Sequence, residues 1–365
     1  MRVVIFSWRG PGHPNEGGAE QVTNEHAKGW VRAGNKVTLF TSYFFGAKTD
    51  ERRDNIRILR RGDQFFGVKF AAFKWYYFEN KEKFDLIIDE FHGLPFFTPL
   101  WAFGVKKIGF IHEVAQKVWA LNPWPWPFNK IAGFFGMTVE PWIFKLFYTG
   151  IPFMTVSKST KADLKAWGVK NITVIPNGVL LPKVLPKVPR EKDYTLIYLS
   201  ALAKDKGVED AIAVFNVIQR QLPDTKFWIV GKSYPQYIKY LQSLCPQAKF
   251  WGFVSDKKKF ELLARAHILI FPSVHEGWGL VIIEAGSVGT PTVAYKVSGI
   301  KDAIVHGRTG LMTDNQTPAS LANLILELNK NKRLYSKLSR DAKKWSQKFS
   351  WIESIEKSTS LISRI

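Results

Sequence analysis

Short runs of Val, Ile, Leu and Phe alternate along the chain with longer stretches whose apolar positions recur at helical spacing. In the first half the runs are Val3–Ser7, Lys36–Thr41, Asn55–Leu59, Phe84–Ile88, Lys106–Ile111, Phe153–Val156 and Ile172–Ile175, and Ala19–Ala33 reads as a helix after the first of them. The runs are nearly continuous in apolar side chains, which suits strands covered on both faces. Strand and helix in alternation predict a parallel sheet. Pro176, Pro182, Pro186 and Pro189 then interrupt the pattern, and such a stretch makes neither a helix nor a central strand. Residues 176–190 are therefore expected to connect two domains. The alternation resumes with strands at Thr195–Ser200, Lys226–Val230, Lys249–Gly252, His267–Phe271 and Pro291–Tyr295 and helices at Val208–Gln221, Lys257–Ala266 and Gly279–Gly286. From Ala319 onward the chain reads as helices. The expected fold is α/β, with two Rossmann-like domains, 1–180 and 181–345, facing across a cleft. A C-terminal helix, 346–365, is expected to return to the N-terminal domain. Ligands of such sheets gather at the carboxyl ends of the strands.

A length of 365 residues suits two domains of roughly 150–200 residues. With 46% hydrophobic and 23% charged residues, a disordered or fibrous chain is excluded. The formal charge of +21 is spread over both halves and favours anionic partners. Cys245 stands alone, so neither an intrachain disulfide nor a cysteine metal cluster can form, which fits a reducing compartment. A cytoplasmic place, at the inner face of a membrane, is the expectation. The first residues are too briefly apolar for a signal peptide and read as a strand. No apolar run reaches the roughly 20 residues of a membrane span.

Most of the chemistry lies in 271–295. A strand ends at Phe271, a turn holds Pro272, Gly277 and Gly279, and Leu280-Val281-Ile282-Ile283 opens a helix apolar around most of its girth. Its N-terminus offers free N–H groups and partial positive charge, a seat for phosphate. Glu276 stands just before the helix and Glu284 inside it. A carboxylate among apolar neighbours must meet donors. Sugar hydroxyls are donors; the plainer alternative is that Glu276 caps the helix and Glu284 pairs with a core Lys or Arg.

Pro-Ser-x-x-Glu-Gly-Trp-Gly-Leu-x-x-x-Glu-Ala, residues 272–285, resembles the E-x7-E signature of the retaining glycosyltransferases of family 4, which have the GT-B fold. Further blocks extend the resemblance over nearly the whole chain. They are Gly17-Gly18-Ala19-Glu20, Phe110-Ile111-His112-Glu113, 156–160, 174–179, Lys206-Gly207 and the stretch from Gly299 to Leu311. The resemblance implies that Glu276 contacts the donor sugar, Glu284 the nucleotide ribose and Lys206 the diphosphate. It also implies that Gly277, Gly279 and Leu280 form the phosphate seat, that Gly17 and Gly18 let a loop approach the donor, and that His112 lines the sugar pocket. Glu276, His112 and Lys206 are thus the catalytic candidates. The implied reaction moves a hexose from a nucleotide diphosphate sugar, GDP-mannose or a UDP-hexose, to a glycan or lipid-linked acceptor in cell-envelope polysaccharide or glycolipid synthesis. Configuration is retained, and neither metal nor cofactor takes part. One position departs from the family: the arginine of its Gly-Arg-Leu block is Ala201 here, and Lys204 and Arg9 are the candidates to replace its charge.

His92 also follows a strand-like run, His13 is expected to be exposed, and Ser157 suits a helix cap. Residues 119–153 are rich in aromatics interleaved with lysine. Trp119, Trp124, Trp126, Phe134 and Trp142 are expected to meet a membrane surface or a lipid-linked acceptor; an aromatic core or dimer surface is the alternative. Other classes fit less well. A dinucleotide-dependent oxidoreductase needs a G-x-G-x-x-G that no first strand is followed by. A nucleic-acid binder has only the charge in its favour. A degenerate GT-B scaffold that binds nucleotide sugar is the alternative that Ala201 motivates.

Overall fold

A computed structural model describes every residue except 92 and 122–125, with residue 117 described by its backbone alone. The chain forms two units, one of Met1–Trp119, Trp126–Gly178 and Ser350–Ile365, the other built on Val179–Phe349.

The first unit holds an eight-stranded sheet of β1 (Arg2–Phe6), β2 (Lys36–Thr41), β3 (Asp50–Arg53), β4 (Ile56–Arg60), β5 (Leu86–Phe91), β6 (Lys106–Ile111), β7 (Phe153–Thr155) and β8 (Ile172–Val174), in the order β3-β4-β2-β1-β5-β6-β7-β8. All neighbours are parallel except β3 and β4. Right-handed crossovers put connections that run in opposite directions along the sheet on opposite faces. The helix Gly18–Arg32 follows β1 and takes one face, and the final helix Trp351–Arg364 packs on it. A Cβ at Gly29 would come 2.2 Å from Ile355 Cγ2. His26 Nδ1 lies 2.9 Å from Ser358 Oγ, and Trp30 Nε1 donates to the same hydroxyl at 3.0 Å. Burial, with help from His112, pushes His26 down to a pKa of about 3.

The opposite face carries the helical segments between β4 and β8. Val4 and Phe6 of β1 and Ile87 of β5 pack there against Val68, Trp75 and Phe96, and Phe91 and Ile111 against Phe144 and Tyr148. The segments are Gly67–Lys74 with the π-helical turn Trp75–Glu79, the short helix Thr98–Trp101, Phe128–Ile143 with the π-helical turn Phe144–Tyr148, and Lys158–Ala166.

The second unit is a fully parallel six-stranded sheet of β9 (Thr195–Leu199), β10 (Lys226–Val230), β11 (Lys249–Gly252), β12 (Ile268–Phe271), β13 (Thr292–Tyr295) and β14 (Gly310–Thr313), in the order β11-β10-β9-β12-β13-β14. All its strands but the edge strand β11 are buried along most of their length, as their largely apolar sequence requires. Between β8 and β9 there is neither helix nor strand, and Arg190 ties that stretch to the second unit through the carbonyls of Ala266 and Gly289.

Several elements escape the hydrophobic pattern, the helices Gly67–Lys74 and Phe128–Ile143 and the following three among them. β3 is Asp-Glu-Arg-Arg, an edge strand whose charges suit an unpaired edge. β14 is only four residues, and the helix Pro235–Leu244 carries few buried side chains.

Candidate active site

Two strand ends of the second unit bring its chemistry together. Beyond β12, the chain turns through 272–279 into the helix Leu280–Ser287. Ser273 is buried, and its hydroxyl lies 2.9 Å from Glu276 Oε1. Beyond β9, the 3-10 turn Lys204–Lys206 brings Lys206 Nζ to 3.0 Å from the same Glu276 oxygen and 3.7 Å from Asp205 Oδ2. Backbone joins the two loops as well, since Val274 N–H donates to the Asp205 carbonyl at 3.0 Å.

Two glycines make this approach feasible. Gly207 has φ +72°, and a Cβ on it would come 2.0 Å from the Pro272 carbonyl oxygen. Gly299 has φ +77°, and a Cβ there would come 2.1 Å from the Glu276 carbonyl oxygen and 2.8 Å from the Gly277 carbonyl carbon. Both the left-handed backbone and the contact exclude other residues. The turn bearing Glu276 is thus pressed by two neighbouring loops.

Gly279, also left-handed at φ +83°, starts the helix, and no side chain caps it. Uncapped first-turn N–H groups and the helix dipole suit an anion. Glu284 sits in the helix, buried, and accepts from Lys259 Nζ at 2.7 Å. Burial raises the Glu284 pKa against the pull of Lys259. For Lys259, burial works against the charge, but Glu284 and Asp256 outweigh it and hold its pKa above the ordinary value. Each acid of the E-x7-E pair therefore has its own lysine. Lys206 was expected near Glu276 from the family blocks; Lys259, in the helix Asp256–Arg265, could have been found only as the unnamed cation that a buried Glu284 demands.

Of the two candidates to replace the charge missing at Ala201, Lys204 is exposed. Arg9 is engaged within the first unit: its Nε lies 2.8 Å from Glu20 Oε1 and its guanidinium 4.1 Å from the Trp8 ring. Buried Glu20 also accepts from Gly17 N–H at 2.7 Å, so one carboxylate fixes both the Gly17–Gly18 turn and Arg9.

His112 follows β6 and is buried, its ring 4.3 Å from that of Phe110. Its Nε2 lies 3.2 Å from Glu90 Oε1 and 3.4 Å from Thr23 Oγ1, and Thr23 donates to Glu90 at 2.9 Å. Glu90 was not anticipated. Its neighbour Asp89 points to the other face and accepts from Thr98 Oγ1 at 2.7 Å and Tyr148 OH at 2.8 Å. Two adjacent acids in an apolar strand must face opposite sides, and that was the available sign.

Several expectations need correcting. His13 is buried against Phe44, not exposed. Trp119 does not join the exposed aromatics: its indole N–H donates to Glu140 Oε2 at 3.0 Å, and its ring fills the space a Cβ at Gly136 would need. Trp126, Phe134 and Trp142 are exposed. Trp124 and His92 lie outside the described residues. Ser157 Oγ accepts from Thr160 N–H at 3.0 Å and caps the helix that follows. Among the described residues, no cluster of His, Cys, Asp or Glu is placed to hold a metal, and no helix is long and apolar enough to cross a membrane.

Two family models account for most of the chain. "Glycosyltransferase Family 4" matches residues 16–181 and "Glycosyl transferases group 1" residues 185–345. The chain belongs to glycosyltransferase family 4. The oxidoreductase alternative has no place in that family. A glycogen synthase of Mycobacterium tuberculosis is 30% identical over 190 residues, which is 50% of this family 4 chain and 46% of that protein. The chain spans about half the length of the curated relatives it matches. Its fold is that of solved GT-B proteins. Sucrose-phosphate synthase from Thermosynechococcus elongatus has TM-score 0.79 at 18% identity, covering 100% of this chain and 98% of that one. Anabaena HepE in complex with UDP-glucose has TM-score 0.74 at 18% identity, covering 100% of both.

Proposed function

We propose that this family 4 chain transfers a hexose from a nucleotide diphosphate sugar to a hydroxyl of a glycan or lipid-linked acceptor, with retention at the anomeric carbon and without metal or cofactor. The observation that carries it is the Lys206–Glu276 pair at 3.0 Å, beside a helix start that no side chain caps. An ammonium and free N–H groups together can hold a leaving diphosphate as negative charge develops on it, and such preorganised donors give the largest single share of many rate enhancements. Glu276 and Asp205 hold Lys206 in place until a diphosphate takes over its charge. Glu276 is then released to accept hydrogen bonds from sugar hydroxyls. Glu284, with Lys259 behind it, offers the remaining carboxylate to the ribose. His112 and the Gly17–Gly18 turn keep the roles the family resemblance gives them. The complex of HepE with UDP-glucose supports the donor class, and the exposed Trp126, Phe134 and Trp142 support a lipid-linked acceptor in envelope glycan synthesis at a cytoplasmic membrane face.

Hydrolysis of UDP-, GDP- and ADP-sugars, screened with and without membrane extract, tests this. Turnover of one donor, lost in Lys206→Ala and Glu276→Ala, is the expected result. Donor binding without any turnover would favour the scaffold alternative that Ala201 motivates.

A further inference from the structure

Three of the helical segments on one face of the first unit's sheet are apolar on the outside as well as the inside. Phe66, Phe70 and Phe78 of the segment around Gly67–Glu79 are 69%, 72% and 76% exposed, Phe103 beyond the short helix is 72% exposed, and Phe134 and Trp142 of Phe128–Ile143 are 71% and 55% exposed. These are not scattered. Trp101 of the short helix packs on Phe73 and Tyr77 of the first segment, while Phe97, just before it, packs on Phe147 of the third. The three segments are therefore continuous, with aromatic side chains turned both ways. Soluble proteins seldom leave so large an apolar surface without a use for it.

Positive charge predominates on these segments. Residues 94–105 contain no charged side chain, and 126–150 contain Lys130, Lys145 and Glu140. Glu140 is turned inward, accepting from Ala115 N–H, Gln116 N–H and Trp119 Nε1. Lys130 and Lys145 are exposed, and Lys145 Nζ lies 5.3 Å from the Trp142 ring centre. In the first segment the exposed Glu79 is 4.0 Å from Lys74. Aromatic rings with lysines beside them, and no free carboxylate, match a surface whose outer layer is anionic and whose next layer is hydrocarbon. A second copy of this chain would bring lysine against lysine.

We infer that these three segments together, including the Phe66–Phe78 segment and Phe103, are the face by which the chain lies on an anionic lipid bilayer. This deepens the lipid-linked acceptor reading and rests on it for the choice of partner. The aromatics sink to the level of the headgroup boundary, the lysines stay among the phosphates, and the sheet behind them lies over the membrane.

The test is flotation of the full chain with vesicles of phosphatidylcholine and with vesicles that also contain phosphatidylglycerol. Binding is expected to the second kind and to be at least about tenfold weaker to the first. Phe70→Ser with Phe103→Ser should weaken binding about tenfold or more, as should Phe134→Ser with Trp142→Ser, with circular dichroism unchanged in both. Wild-type binding by the Phe70/Phe103 variant would overturn a docking face of this extent. Equal binding to both vesicle types, or self-association in place of flotation, would overturn an anionic bilayer as its partner. Donor hydrolysis is read on the same samples. A chain that floats but turns over no donor refutes the enzymatic proposal alone, and a chain that turns over donor but never floats refutes this one.

Discussion

Lys206 Nζ stands 3.0 Å from Glu276 Oε1, so the cation proposed for the diphosphate and the acid proposed for the sugar neutralise each other when no donor is present. Removing either takes one of the two proposed donor contacts from the site. Lys206→Ala and Glu276→Ala should each lower kcat for donor hydrolysis by about 10²–10³, with the thermal midpoint of the chain little changed. Steady-state kinetics on the donor found in the screen, beside a melting curve, checks this. Full turnover in both variants would remove the basis of the proposed mechanism.

The glycine contacts give a sharper test of placement. Gly299→Ala must change a left-handed backbone at φ +77° and push a methyl group into the Glu276 carbonyl. Such strain costs of order 1–3 kcal/mol and displaces the turn. The expected outcome is a large loss of turnover together with a lower denaturation midpoint. Gly307→Ala, also left-handed at φ +70° but with nothing near its Cβ, is the control: it should cost some stability and leave turnover intact.

Leaving-group charge is assigned to an ammonium and to backbone N–H groups. Incubation with EDTA should therefore leave the rate of donor hydrolysis unchanged, and added magnesium or manganese should not raise it. A rate abolished by chelation and restored by one of those ions would contradict the assignment.

His26 makes the first unit sensitive to acid. It is neutral in the folded chain, with a pKa of about 3, while an unfolded histidine takes up a proton near 6.5. The unfolded state therefore binds more protons below pH 6.5, and stability falls as pH falls from there toward 3. Between pH 7 and pH 5 the loss from this residue is about 2 kcal/mol. Urea unfolding at both pH values, read by tryptophan fluorescence, should show that loss, and His26→Gln should shrink it.

What was legible in the sequence follows physical rules. Strands such as Leu86–Phe91 and Ile268–Phe271 are buried on both faces, and a continuous apolar run announces them. β3 is held by pairing with β4 and not by burial, so its four charged residues announce nothing. Glu276 and Glu284 could be located because their spacing is local, and Lys206 because it lies in one of the blocks that carry the family resemblance. Their partners could not: Lys259 is 25 positions from Glu284, and Thr23 is 67 positions from Glu90, distances that only the fold closes. The inward packing of half-buried Trp119 was hidden for the same reason, since its space depends on Gly136 in a different element.

Ser358 receives the Trp30 indole and meets His26, so residues beyond 350 complete a unit begun at the first strand. On a ribosome the stretch 179–349 emerges before them. The second unit can thus reach its native state while the earlier half of the polypeptide still waits with the outer side of Gly18–Arg32 uncovered. Any chaperone assistance during synthesis would be needed there, and for longest.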